Sequence, residues 1–196
     1  MTRRSAVLLL GAAGSGFAQG VSPGKARGIP MAAITIEVFS DFQCPACKTL
    51  HEETLRPLIS EYVDKGKVYL IHRDFPLPMH AYAKEAAYLA CAAARIGKYD
   101  LVADTLFANQ GSWSKDGKVE DVVGRVLTPA DAKKVLALAK TPEVVAEVER
   151  DSQKGREAKL QQTPTMIITH KSKTYPVSGV ITFPIVRRFL DQLLTQ

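Results

Sequence analysis

The chain has 196 residues, the length of one domain with room for an insertion. It is 46% hydrophobic and 23% charged, which argues against a disordered chain, and its three cysteines are too few for a disulfide-stapled mini-protein. The +6 formal charge comes from basic residues scattered among acids, not gathered in a stripe, so the sequence gives no nucleic-acid partner. Composition and patterning likewise exclude a membrane-embedded protein and a coiled coil.

The first 18 residues read as an export signal. Arg3 and Arg4 form a positive start, residues 6–14 a short apolar run, and Gly16-Phe17-Ala18 a small-residue cleavage site. The run is about half the roughly 20 residues that span a bilayer. The adjacent arginines fit either general secretion or a twin-arginine route. Cleavage after Ala18 loses two arginines and no acid, so the mature charge becomes +4. The implied location is periplasmic or otherwise extracytoplasmic, where disulfides persist. Residues 19–30, with three glycines and two prolines, read as a flexible lead-in.

The mature chain then reads as an α/β fold in three segments: 31–78, 79–161 and 162–196. Residues 33–39 are β-branched and aromatic, a buried strand. From Cys44 to Asp64, Leu50, Leu55, Leu58, Ile59 and Tyr62 recur at helical steps, with a kink expected at Pro57 and an end at Gly66. Residues 67–72 form a second strand, completing a βαβ unit. Residues 79–161 carry helical signals almost throughout. They comprise an Ala-rich stretch over 79–96, an amphipathic piece over 101–107, and Thr-Pro starts at Thr128 and Thr141. Strands follow over 165–169 and 173–177. The closing helix over 183–194 carries Phe183, Val186, Leu190, Leu193 and Leu194 on one stripe.

The chemistry concentrates at Cys44-Pro45-Ala46-Cys47. One helical turn brings the two cysteines within disulfide reach. Unpaired N–H groups at the helix start favour a thiolate, so Cys44 is expected to be the exposed, acidic nucleophile and Cys47 the buried resolving thiol. Pro45 fits the first turn, where no N–H is needed. Thr163-Pro164 precedes a strand, where a proline in a tight loop would offer a backbone edge to a substrate polypeptide.

Four stretches occur in order: residues 39–47 (FSDFQCPAC), 73–78 (RDFPLP), 106–110 (LFANQ) and 163–166 (TPTM). Together they resemble the DsbA-like thiol-disulfide oxidoreductases, over residues 31–194. The resemblance implies a thioredoxin fold (βαβ…ββα) with an all-helical insertion, and a cis Pro164 facing the Cys44–Cys47 pair. It implies exchange of disulfides with client proteins that carry cysteine pairs, most directly as a dithiol oxidase. A membrane or soluble redox partner would reset the dithiol, and no cofactor or metal would be needed. A reductase or isomerase direction uses the same site, and Thr163 before the proline occurs on that side of the family. The sequence departs from the pattern twice. Where members often carry a buried acid six residues before the first cysteine, Val38 stands here, with Glu37 on the opposite face of the strand. Asp41 is then the candidate proton acceptor, provided that its turn folds inward. Ala46 replaces the histidine that stabilises the thiolate in some members, so Cys44 is expected to be less acidic than theirs.

Other candidates have plainer readings. Cys91 lies among alanines and reads as a small core residue. His51 would complete a Cys44, Cys47, His51 set able to grip copper or zinc, but three ligands with no fourth make an incomplete site, and packing beside the redox turn is the simpler reading. His72, His80 and His170 read as surface or capping residues. Trp113 is expected in a loop that seals the insertion core, residues 115–118 in a solvated turn, and Arg187-Arg188 on an exposed helix face.

Overall fold

The computed structural model describes residues 23–196. The export signal expected over 1–18 lies outside the described residues. Five strands form one mixed sheet: β1 (Ala26–Arg27), β2 (Ile34–Ser40), β3 (Val68–Asp74), β4 (Thr165–His170) and β5 (Lys173–Ser178). The order is β1-β3-β2-β4-β5. Only β2 and β3 are parallel, and the helical rod α1 (residues 45–63) joins them. β2 alternates little because it is central and both its faces are covered: Ile34, Ile36, Val38 and Phe39 are all inaccessible to solvent.

Between β3 and β4 the chain is helical: α2 (Ala83–Ala94), α3 (Tyr99–Ala108), α4 (Gln110–Asp116), α5 (Val119–Gly124), α6 (Pro129–Ala139) and α7 (Pro142–Glu157). The last helix, α8 (Phe183–Leu194), buries Val186, Leu190 and Leu193 along the expected stripe. No helix among the described residues is long and apolar enough to cross a membrane. Two apolar clusters result. One packs α1 and α8 against β2, β3 and β4; the other fills the helical insertion and reaches Phe42, Cys44 and Cys47. The cysteine turn therefore sits where the insertion meets the sheet.

Several expectations are corrected. The lead-in is built into the fold over residues 23–27: β1 pairs antiparallel with β3, and Lys25 is only 1% exposed. At Pro57, where the sequence predicts a kink, α1 continues and changes its winding. Regular turns at Pro45–Thr49 and Arg56–Leu58 alternate with wider ones at Leu50–Leu55 and Ile59–Val63. The Arg56 N–H reaches back to the His51 carbonyl, five residues away. Such widened turns flank a ring that would otherwise clash with a carbonyl in the preceding turn. The Ala-rich helix starts at Ala83, not at residue 79, because the chain before it is held by Gln43, whose Oε1 accepts the Tyr82 N–H at 2.8 Å. Trp113 is helical, not in a loop; it is fully buried and its indole N–H donates to the Leu106 carbonyl at 2.7 Å. Thr128 caps α6 through the Asp131 N–H, whereas Thr141 turns its hydroxyl back to the Leu138 carbonyl and leaves α7 without a side-chain cap.

A buried ionic network ties the lead-in and the insertion to β3. Lys25 Nζ lies 2.5 Å from both Asp74 and Asp151, and 3.7 Å from Glu147. Arg73 bridges Glu37 at 2.7 Å and Asp151 at 2.9 Å, and Lys154 also reaches Glu37. Glu37 is thus the acid of an otherwise apolar strand whose charge is met from β3 and α7. Helix α7 comes this close because Gly155 has no side chain: a Cβ there would stand 2.6 Å from the Phe75 ring. Gly155→Ala is expected to destabilise the fold by about 1–3 kcal/mol, the usual range for overpacking, read by denaturant melts.

Candidate functional site

Cys44 is the residue before α1, in extended conformation, and Pro45 takes the first helical position. The turn from β2 into the helix is tight: the Cys44 N–H bonds the Asp41 carbonyl, and the Cys47 and Lys48 N–H groups bond the Cys44 carbonyl. Both cysteines are free thiols. Cys44 is not the exposed residue the sequence led us to expect: it is 7% exposed against 1% for Cys47. The difference is in the expected order, but the insertion covers both.

The two thiols are driven apart. The Cys47 thiol hydrogen-bonds the Cys44 sulfur and, with the Thr163 contact and the Ala46 and Cys47 amides, brings Cys44 down to about 5 against the pull of burial. That lies below a free thiol at roughly 8.5 and above the roughly 3.5 of the most acidic oxidant cysteines. Burial, reinforced by Cys44, pushes Cys47 well above the ordinary range. Ser40 and the Asp41 N–H, 3.4 Å from the Cys47 sulfur, only partly oppose this. One sulfur is an anion near neutral pH and its neighbour a thiol.

Opposite stands the loop before β4. The Thr163–Pro164 peptide is cis. The Cys44 sulfur lies 3.5 Å from the Thr163 carbonyl. The Thr163 hydroxyl is buried beside it with no hydrogen-bond partner. Pro45 and Ala46 follow Cys44 into the helix, and the Thr163 carbonyl stands against the Cys44 sulfur.

Asp41 does fold inward and is 1% exposed. Its carboxylate accepts the Gln43 N–H at 2.7 Å, the Leu77 N–H at 2.8 Å and pairs with His80 at 2.7 Å. These contacts pin the loop before α2 to the cysteine turn, and it is the Asp41 main chain that meets Cys47. His80 is thus half-buried at the surface and tied to the cysteine turn by Asp41. His170 is buried, and His72 stacks near Tyr99 with ring centres 5.2 Å apart. Cys91 is fully buried in α2, and burial pushes its thiol up. His51 faces Asp104 at 2.6 Å and packs on Phe107. Among the described residues, no cluster of three or more His, Cys, Asp or Glu side chains is arranged to hold a metal ion.

Gln110 was part of the quoted stretch 106–110 but carried no role. From the buried start of α4 its amide donates to the Phe42 carbonyl at 2.7 Å and to the Cys44 carbonyl at 3.0 Å. It fastens the insertion to the cysteine turn. Gln110→Ala removes this donor from the Phe42 carbonyl and leaves the Cys44 carbonyl to the Cys47 and Lys48 N–H groups, and is expected to cost about 1–3 kcal/mol, measured by urea unfolding.

The thioredoxin family model matches residues 22–180, most of the chain. The protein belongs to the thioredoxin family. The probable disulfide bond formation protein D of Bacillus cereus is 28% identical over 146 residues, 70% of this chain and 66% of that protein. Its Bacillus anthracis counterpart is 28% identical over 142 residues, 70% and 65% respectively. The chain thus spans just under two thirds of these relatives. In the solved structures the same architecture recurs. Wolbachia pipientis alpha-DsbA1 has a TM-score of 0.71 at 18% identity, covering 86% of this chain and 89% of that one. Oxidised BdbD of Bacillus subtilis has a TM-score of 0.70 at 19% identity, covering 88% and 93%. The thioredoxin-family member described here is DsbA-like: a thioredoxin fold with a helical insertion.

Proposed function

We propose that the protein is an exported thiol-disulfide oxidoreductase that exchanges disulfides with client proteins through Cys44 and Cys47, acting as a dithiol oxidase. The single observation that carries this reading is the opposed acidity of the pair, with Cys44 held as a thiolate beside the Thr163–Pro164 loop. In the oxidised state a client thiolate attacks the Cys44 sulfur, the bond to Cys47 breaks, and its electron pair leaves on Cys47. A second client thiolate then attacks the client sulfur joined to Cys44. The client leaves oxidised and the enzyme is left as a dithiol. A stable Cys44 thiolate makes Cys44 a good leaving group and favours the reduced enzyme, which is the energetic basis of an oxidant. Pro45, Ala46, Thr163 and Pro164 tune the pair and offer the client a backbone edge. A membrane or soluble partner resets the dithiol, and the chemistry itself needs no cofactor. The likeness to disulfide bond formation protein D supports this reading, as does the sequence of residues 1–18 for export.

The direction is tested by equilibrating the pair in glutathione buffers. A reduction potential between about −180 and −120 mV, an oxidant weaker than the members with the most acidic cysteine, is expected, and one near roughly −270 mV would make the protein a reductase. Cys47→Ala is expected to attack the disulfides of oxidised client proteins, one client sulfur leaving as a thiolate, and to hold them as mixed disulfides on Cys44, seen as reducible adducts in non-reducing gels. Cys44→Ala is expected to trap none.

A further inference from the structure

We propose that His51, held by Asp104, relays the proton that Cys47 gains and loses in each cycle. The inference rests on the thiol-disulfide reading above and adds the route by which the buried thiol exchanges its proton.

Behind Cys47 lies a cavity of about 10 Å³, lined among others by Cys47, Ser40, His51 and Tyr99. That is close to the smallest space that holds one water, and its walls carry the polar groups such a water needs. His51 also lines an open cleft of about 320 Å³ on the other side. His51 and His72 are therefore both part of the wall between the resolving thiol and solvent, but burial brings the His72 imidazole down to about 3, so near neutral pH it holds no proton to give. The His51 Nε2 lies 2.6 Å from an Asp104 oxygen, and Asp104 is half-exposed. With Nε2 committed to the carboxylate, Nδ1 is the ring nitrogen free to take a proton from the cavity. The competing acids are occupied. Asp41 already accepts two N–H groups and pairs with His80, and Asp74 is held by Lys25.

The need for a relay follows from Cys47's burial. When a client thiolate displaces Cys47, the sulfur leaves as a thiolate in an environment that disfavours the charge, and a proton from the His51 imidazolium reaches it through the cavity water. In the return direction the Cys44 thiolate attacks an incoming disulfide and expels one of its sulfurs. Cys47 then gives its proton to His51 Nδ1, and its electron pair attacks the Cys44 sulfur. The bond from Cys44 to the incoming group breaks, with the electron pair leaving on that group. Asp104 balances the imidazolium until it releases the proton to solvent through the cleft.

The test uses the reduced full-length protein and the chromogenic disulfide dithiobis-nitrobenzoate, which releases one coloured thiolate when Cys44 attacks and a second when Cys47 displaces it. His51→Ala is expected to keep the first release and to slow the second by about 10²-fold, the lower end of what a positioned proton-transfer group contributes. Added imidazole is expected to restore the second release in that variant. Asp104→Asn, an isosteric change at a half-exposed position, is expected to slow the same step by about tenfold. An unchanged second release in Asp104→Asn, or a slowed one in His51→Ala that imidazole does not restore, overturns the relay. A wild-type protein without any first release overturns instead the redox reading on which the relay stands.

Discussion

Alkylation of the reduced protein is expected to show Cys44 reacting with a pH midpoint near 5, and Cys47→Ala is expected to move that midpoint upward. The largest influence on the Cys44 thiolate is the hydrogen bond from the Cys47 thiol, ahead of the helix-start amides. A hydrogen bond to a charged group is worth about 1.5–3 kcal/mol, and one pKa unit corresponds to about 1.4 kcal/mol, so the shift is about 1–2 units. The measurement is iodoacetamide reactivity, or thiolate absorbance, across pH. A midpoint that stays near 5 in the variant would assign the acidity to the backbone amides and the Thr163 contact. The same depressed value has a stability consequence. A group whose folded value lies below its unfolded one stabilises the folded form above the unfolded value, and that contribution is lost as pH falls through the folded value. The reduced form has this thiolate and the oxidised form does not. The advantage of the reduced over the oxidised protein in thermal melts is therefore expected to grow from about pH 5 to a maximum near pH 8.5, and to fall again above it because the buried Cys47 thiol resists ionising in the folded state while it ionises in the unfolded chain.

Much of this geometry was legible from residue types and spacing. The CxxC turn, the Thr163–Pro164 loop and the stripe of α8 are local signals: periodicity, a proline's restrictions, and two thiols one turn apart. What was not legible depends on contacts across long stretches of chain. The lead-in looked flexible because glycine and proline dominate it, yet Lys25 finds acids 49 and 126 residues away. Asp41 could be read as inward or outward, and only the Leu77 and His80 contacts decide it. Trp113 was placed in a loop because Gly111 and two serines flank it; α4 is short and gains its helical form from the burial of Trp113 and Gln110. The one hint of the ionic network was Glu37 within a strand of otherwise apolar inward residues. A buried carboxylate there requires cations, and Arg73 and Lys154 supply them.

Lys25→Met is expected to be the most destabilising single change outside the apolar core. The Lys25 ammonium is fully buried, and the cost of burial is outweighed by Asp74 and Asp151, which keep it protonated. Methionine fills much the same volume but leaves Asp74, Asp151 and Glu147 without that cation, although Arg73 still serves Asp151 and Arg95 still serves Glu147. Removing one partner of a buried ion pair costs about 3–5 kcal/mol. Burial already raises the Asp74 carboxyl to about 6 in the wild type despite Lys25, and without the ammonium it rises further. The folded state then holds more protons, so the variant loses stability as pH rises. The gap between wild type and Lys25→Met is accordingly expected to stay level up to about pH 6 and to widen from there towards pH 8, in urea melts that follow the fully buried Trp113. A gap that is constant across this range would mean that Lys25 acts through packing alone. Because Asp74 ends the strand that neighbours Ser40 in β2, loosening this tie is also expected to reach the cysteine turn, and the Cys44 alkylation midpoint in Lys25→Met reports whether it does.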